Sequence, residues 1–302
     1  MEANCSLDHK IKIANSFENE GKLLHAAQIY TSIIDEHPGF LEAYFSLAHL
    51  YEKLGKIDIA VHLLQSLMDM DSENTEVRLS YGQFLLRNSK WEVAIEVLSL
   101  IMPEEEPLVA FFLGYSYFML NEFEIAKINF QNFTSIDKNN ELVHEAYIYL
   151  AKIETNLKNF ESALAFAKKA DVLYSNFWEL NKIYAETYFN LGMFAHAVTP
   201  IEKAINLNKT EPSPYEIAGK IYLRLCDYQK AEKCFLKFIE LIDDVSSDIY
   251  ADLAESCLKS NKPKDALTYY ETAIKIDPGN KNAIEGKRNT ELLLFKTAAL
   301  DG

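Results

Sequence analysis

PLVAFFLGYSYFMLNEFEIAKINFQNFTSIDKNN, residues 107–140, is the stretch from which the rest of the chain can be read. Leu113, Gly114 and Tyr117 fall within about one helical turn and share a face, and Ala126, Phe130 and Phe133 do the same on a second helix after the turn LNEFEI. Two helices therefore face each other. Gly114 and Ala126 are small where the two backbones approach most closely, and the large residues fill the grooves on either side. A hairpin of this kind cannot bury both of its faces alone, so it needs neighbours of the same design.

Those neighbours are written along the chain. Setting the small residue of each first helix in register gives eight units, beginning at Leu7, Leu41, Thr75, Pro107, His144, Trp178, Pro212 and Ser247, with spacings of 34, 34, 32, 37, 34, 34 and 35 residues. The small residue is Ala14, Ala48, Gly82, Gly114, Ala151, Ala185, Gly219 and Ala254 in turn. A second column, opening the second helix, is alanine throughout: Ala26, Ala60, Ala94, Ala126, Ala163, Ala197, Ala231 and Ala266. Gly21, Gly55 and Gly192 sit where a helix C-terminus calls for a left-handed residue. His37-Pro38-Gly39 and Asp277-Pro278-Gly279-Asn280 supply stops between units.

The Leu-Gly-x2-Tyr…Ala-x3-Phe spacing, with Ala110 in the place usually held by Trp, resembles the tetratricopeptide repeat, and the likeness covers nearly the whole chain. The expected organisation is an N-terminal extension (1–6), repeats at 7–40, 41–74, 75–106, 107–140, 144–177, 178–211, 212–245 and 247–280, and a capping helix and tail (281–302). The fold class is all-α, an α-solenoid of stacked helix-turn-helix hairpins. The resemblance further implies a right-handed superhelix whose first helices line a concave groove that grips peptides or helices of partner proteins. In the terminal segment Ala283, Ile284, Leu292 and Phe295 are expected to cover the open end of the array, leaving Leu293, Leu294 and Leu300 for a homodimer contact.

Composition agrees with this class. The chain has 302 residues, 49% apolar and 25% charged, with only 10 Gly and 8 Pro, which suits helices better than a fold of many tight turns. The net charge of −15 is uneven, with 21 acids against 10 bases in residues 1–140 (−11) and 24 against 20 in residues 141–302 (−4). A negative field of this size disfavours nucleic acid and anionic membrane surfaces as partners. No run of 18 apolar residues occurs and the start lacks a signal-peptide pattern, so membrane insertion is not expected and a cytoplasmic location is.

Signatures of catalysis are missing from the sequence. There is no G-x-G-x-x-G, no G-x4-G-K-[ST] and no H-E-x-x-H; Cys5, Cys226, Cys234 and Cys257 form no C-x-x-C pair. Neither cofactor, metal nor enzymatic activity is expected. Inner-face positions of the first helices are then the candidate partner-binding residues: Phe45 and His49; Leu79, Gln83 and Arg87; Phe111, Tyr115, Phe118 and Met119; Lys152; Lys182, Glu186 and Phe189; Lys220 and Arg224. The character runs from apolar and aromatic to mixed charge, and the cluster Phe45, Phe111, Tyr115, Phe118 and Met119 has the composition of a peptide-binding hot spot. One branch of the resembled family clamps chaperone C-termini with Lys, Asn, Lys and Arg on the inner face. Here only Asn15 fits that pattern beside Ile11, Phe45 and His49, which favours a partner with apolar anchors. The alternative is a self-assembling or regulatory subunit that uses its terminal helix.

Overall fold

The computed structural model describes residues 2–174 and 176–300, with side chains described for 7–174 and 176–296. These residues are helical with no strand. They divide into two compact units, Met1–Ala146 and Tyr147–Gly302. The first holds α1 (Glu2–Asn19), α2 (Leu23–Glu36), α3 (Leu41–Lys53), α4 (Ile57–Met70), α5 (Thr75–Arg87), α6 (Trp91–Leu98), α7 (Leu108–Met119) and α8 (Phe123–Ile136), and α9 (Val143–Asn156) begins in it. The second holds the rest of α9, then α10 (Phe160–Leu173), α11 (Trp178–Asn190), α12 (Phe194–Leu207), α13 (Ser213–Arg224), α14 (Tyr228–Leu241), α15 (Ser247–Lys259), α16 (Pro263–Ile276) and α17 (Lys281–Leu300). Within each unit consecutive helices pack as hairpins and hairpins stack on one another, the architecture of an all-α helical-repeat solenoid.

Both small-residue columns are buried throughout. Sixteen residues after each of the three glycines in the first-helix column comes the side chain that fills the space it leaves: Leu98 against Gly82, Phe130 against Gly114 and Phe235 against Gly219. A Cβ on Gly219 would lie 2.5 Å from the Phe235 ring, and one on Gly82 would lie 2.4 Å from Leu98. Burying a Phe or Leu side chain contributes on the order of 1.5–3 kcal/mol, so each of these three hairpins carries its own hydrophobic pin.

Every first helix ends the same way. Residues 21, 55, 89, 121, 158, 192, 226 and 261 all have positive φ, between 55° and 74°. The residue after each donates its N–H to the carbonyl five positions back, from Lys22 to Phe17 (2.8 Å) through to Lys262 to Cys257 (2.9 Å). This is the Schellman closure, which satisfies carbonyls that the helix end would leave exposed. Glycine supplies the left-handed residue in three turns; Ser89, Asn121, Lys158, Cys226 and Asn261 adopt it in the other five.

The irregular spacings have local causes. The second helix of the third hairpin, α6, has 8 residues where α4 and α8 have 14, and the chain leaves it through Ser99 before Pro103. Of the three extra residues 141–143, Glu141 and Leu142 form a turn, while Val143 begins α9 and is buried.

At the C-terminus the covering face differs from the expected one. Ala283, Gly286 and Thr290 pack inward, whereas Ile284, Leu292 and Phe295 are exposed, Phe295 at 74%. The reason is close approach: a Cβ on Gly286 would lie 2.3 Å from Tyr270, so only small side chains fit the seam between α16 and α17. Asn280 fastens this helix. Its Nδ2 donates to Ser247 Oγ (2.8 Å) and Asp248 Oδ1 (2.9 Å), while its Oδ1 accepts from the Ala283 N–H (3.0 Å) as an N-cap. Leu293 is exposed and Leu294 half-buried. The side chain of Leu300 lies outside the described residues.

Candidate functional site

In the first unit, α3, α4 and α5 line a cleft of about 220 Å³. Phe45, Leu64 and Phe84 give it apolar walls, and Ser80, Gln83 and Arg87 supply polar groups. Two of the sequence-marked residues of α5 and one of α3 thus meet in one place. Leu79 is half-buried in the core beneath. At the ends of the same helices Glu52 is a hub: it accepts from Asn88 Nδ2 at 2.8 Å, and His49 Nδ1 and Arg87 Nη2 lie 3.1 and 3.6 Å away. Burial pushes its carboxyl up, but the hydrogen bonds from Asn88 and His49 and the Arg87 charge outweigh that and hold it below the usual range. Asn15, the one residue that fitted a carboxylate clamp, accepts a 2.6 Å bond from Tyr30 Oη.

The aromatic cluster on α7 is largely packing. Phe111 is 7% exposed and makes edge-to-face contacts with Phe130 and Phe133 at 5.5 and 5.4 Å, so it belongs to the core and not to a binding surface. Its neighbours explain this: α8 sets two buried rings, Phe130 and Phe133, against it. Tyr115 is half-buried against Trp91 (5.5 Å, 84°), and Phe118 lies 5.8 Å from Phe123. Burial, with Glu145 nearby, raises the Tyr115 phenol above its ordinary value. Met119, 41% exposed, is the most open of the four.

In the second unit the marked residues fall into three places. Lys152 Nζ donates to Glu179 Oε2 at 2.8 Å and lies over the Tyr149 ring. Lys182, Glu186 and Phe189 of α11 and Lys220 of α13 line a cleft of about 280 Å³, in which Lys220 is bonded to Glu216 at 2.5 Å. Arg224 belongs to a third and larger cleft, about 500 Å³, walled by α13, α15 and α17. Asp252, which sequence reasoning did not single out, lies in it. Its carboxyl is pushed up to about 6 because burial, helped by Glu255 and Asp248, outweighs the pull of Lys220 and Arg224. The sequence held one signal for it, an acid beside the buried seam where the corresponding residues of the two preceding repeats are Ile183 and Ile217.

Among the described residues no group of three or more His, Cys, Asp or Glu side chains could hold a metal ion, and no helix is long and apolar enough to cross a membrane. Burial raises the Cys234 thiol to about 11 and the Cys257 thiol to about 12, which suppresses the nucleophilic thiolate.

Comparison with known proteins agrees with this architecture. Tetratricopeptide repeat family models match residues 45–107, 213–244 and 247–280. Tetratricopeptide repeat protein 12 of Mus musculus is 25% identical over 170 residues, 56% of this chain and 23% of that protein, so the match spans about a quarter of the relative's length. Among solved structures, a chain of the APC/C hetero-tetramer Cut9-Hcn1 aligns with a TM-score of 0.61 at 17% identity, covering 93% of this chain and 55% of that one. A tetratricopeptide repeat protein from Parabacteroides merdae ATCC 43184 aligns at 0.53 and 14%, covering 94% and 98%. At such identities the structural likeness shows the fold alone. With the repeat register, the paired small-residue columns and the family matches in agreement, the chain belongs to the tetratricopeptide repeat family.

Proposed function

We propose that the protein is a non-enzymatic scaffold that holds an extended peptide or amphipathic helix of a partner protein on the inner faces of its first helices. The observation that carries this reading is the cleft between α3 and α5, where Phe45, Leu64 and Phe84 form apolar walls beside the polar ends of Gln83 and Arg87. Such a site takes an apolar anchor side chain and fixes its orientation with a few hydrogen bonds. In this reading the exposed His49 and Met119, with the exposed parts of Tyr115 and Phe118, add to the contact surface. A random-peptide display library selected on the full chain tests the reading. Enriched sequences are expected to share an aliphatic or aromatic anchor, and Phe45→Ala or Arg87→Ala should weaken them at least tenfold with helical circular dichroism unchanged. Failure to enrich, or enrichment indifferent to both substitutions, refutes it.

A second reading, self-association through the terminal helix, draws support from the exposed Leu292 and Phe295 of α17. Light scattering at micromolar concentration on the native chain and on Leu292→Glu/Phe295→Glu decides it. A monomer in both cases removes this reading.

A further inference from the structure

Several charged side chains of the second unit are ion-paired. Lys152–Glu179, Lys220–Glu216, Lys262–Glu232 and Lys287–Glu271 are paired at 2.5–3.0 Å. The cleft between α13, α15 and α17 is different: Arg224, Asp252, Glu255, Lys259 and Glu285 all line it, and none of them makes an ion pair among the described residues. Asn282 and Asn289, seven residues apart on α17, add two amides with no hydrogen-bond partner among the described residues. The groups present in this cleft are therefore left for something other than the protein's own side chains.

Asp252 is the most sheltered of these acids. A carboxylate sunk into protein without a donor carries a desolvation penalty that its surroundings do not return. The titratable groups around it are Lys220 and Arg224 of α13, Asp248, Glu255 and Lys259 of its own helix, the Tyr270 phenol of α16 and Glu285 of α17. Lys220 is already held by Glu216, and Arg224 is exposed at the mouth. A cation seated against Asp252 would find a counter-ion whose cost of burial the fold has already met.

We propose that this cleft receives one basic side chain, lysine or arginine, of a segment bound on the inner face of the second unit, with Asp252 as its counter-ion. Arg224 and Lys259 repel a run of bases, so the segment carries a single basic residue with neutral or acidic neighbours. The proposal rests on the inner-face binding reading above, but its test needs no bound peptide. The full chain, labelled for NMR, is titrated with N-acetyl-arginine methylamide and with the neutral isostere N-acetyl-citrulline methylamide. The arginine probe is expected to shift resonances of α13, α15 and α17 and to lower the Asp252 pKa, with citrulline binding at least tenfold weaker. Asp252→Asn, which removes a buried charge and should fold at least as well, is expected to bring arginine down to the level of citrulline. Equal binding of the two probes, shifts spread over surface acids elsewhere, or arginine binding untouched by Asp252→Asn overturns the proposal. Loss of peptide selection in the first unit together with a positive result here would refute the peptide-groove reading alone.

Discussion

The N–H of Asp227 donates to the carbonyl of Tyr222 at 2.9 Å across Cys226, a non-glycine residue held at φ 61°. The same geometry recurs in every hairpin, and in five of the eight a non-glycine residue holds the left-handed position where glycine would serve.

This gives a first prediction. A non-glycine residue in this conformation costs on the order of 1 kcal/mol, part of which glycine returns through its freer unfolded chain. Cys226→Gly and Lys158→Gly are each expected to stabilise by about 0.5–1 kcal/mol, and Asn121→Gly by less, since Asn tolerates the left-handed region. Urea midpoints followed by circular dichroism check this. A lowered midpoint for Cys226→Gly would count against it.

The glycines of the first helices separate by clearance. Gly219→Ala drives a methyl to 2.5 Å from the fully buried Phe235 ring, whereas Gly114→Ala meets Phe130 at 3.0 Å. Overpacking costs about 1–3 kcal/mol and alanine recovers about 1 kcal/mol of helix propensity. Gly219→Ala should therefore destabilise by roughly 1–2 kcal/mol and Gly114→Ala should be close to neutral. Hydrogen exchange in α13 and α14 localises the first effect, because repeat arrays open hairpin by hairpin.

Asp252 makes stability depend on pH in a stated direction. Its folded pKa of about 6 lies above the ordinary aspartate value of about 3.9, so the folded state binds this proton more tightly than the unfolded one. Its contribution is fully present below about pH 4 and is lost as pH rises through about 6. Asp252→Asn should remove that slope and stabilise the second unit at pH 7 by about 1–2 kcal/mol. Denaturation series between pH 4 and 7.5 on both proteins would reveal parallel curves if Asp252 is not the cause.

Asn280 is the fastening of α17. Asn280→Ala removes an N-cap worth about 1 kcal/mol and two hydrogen bonds, one to a carboxylate, for a total of roughly 2–3 kcal/mol. Faster exchange of the α17 amides is expected, with α13 and α14 unaffected. Asn280→Asp keeps the cap acceptor but sets a second carboxylate beside Asp248, and should rescue little.

How much of this was legible beforehand depends on how local each cause is. Ala26 and its seven counterparts, Gly114 and Gly219 announce themselves because a period near 34 residues repeats the same steric demand. The Gly21, Gly55 and Gly192 positions were readable for the same reason; the turns RNSKWE, LKNFES and RLCDYQ could be placed between their helices, but that Ser89, Lys158 and Cys226 take the left-handed conformation in them could not, since they adopt it because both flanking helices are already fixed. Phe45, Gln83 and Arg87 come together as a helical-face count expects. Phe111 does not join them: whether an aromatic on that face points into a groove or into the hairpin turns on Phe130 and Phe133, which lie 19 and 22 residues further along the chain.

The sequence by itself determined the repeat, its register and the sites of close helix approach, because these follow from side-chain size at fixed spacing. Only tertiary structure decided which face of α17 covers the end of the array, since Tyr270 leaves room only for Gly286 in the seam, and Leu292 and Phe295 stay exposed. It also decided that Asp252, one acid among 45 Asp and Glu residues, is the most sheltered of the three acids that line the cleft of α13, α15 and α17. Burial and charge pairing depend on neighbours brought together from three helices, and no single stretch of sequence contains them.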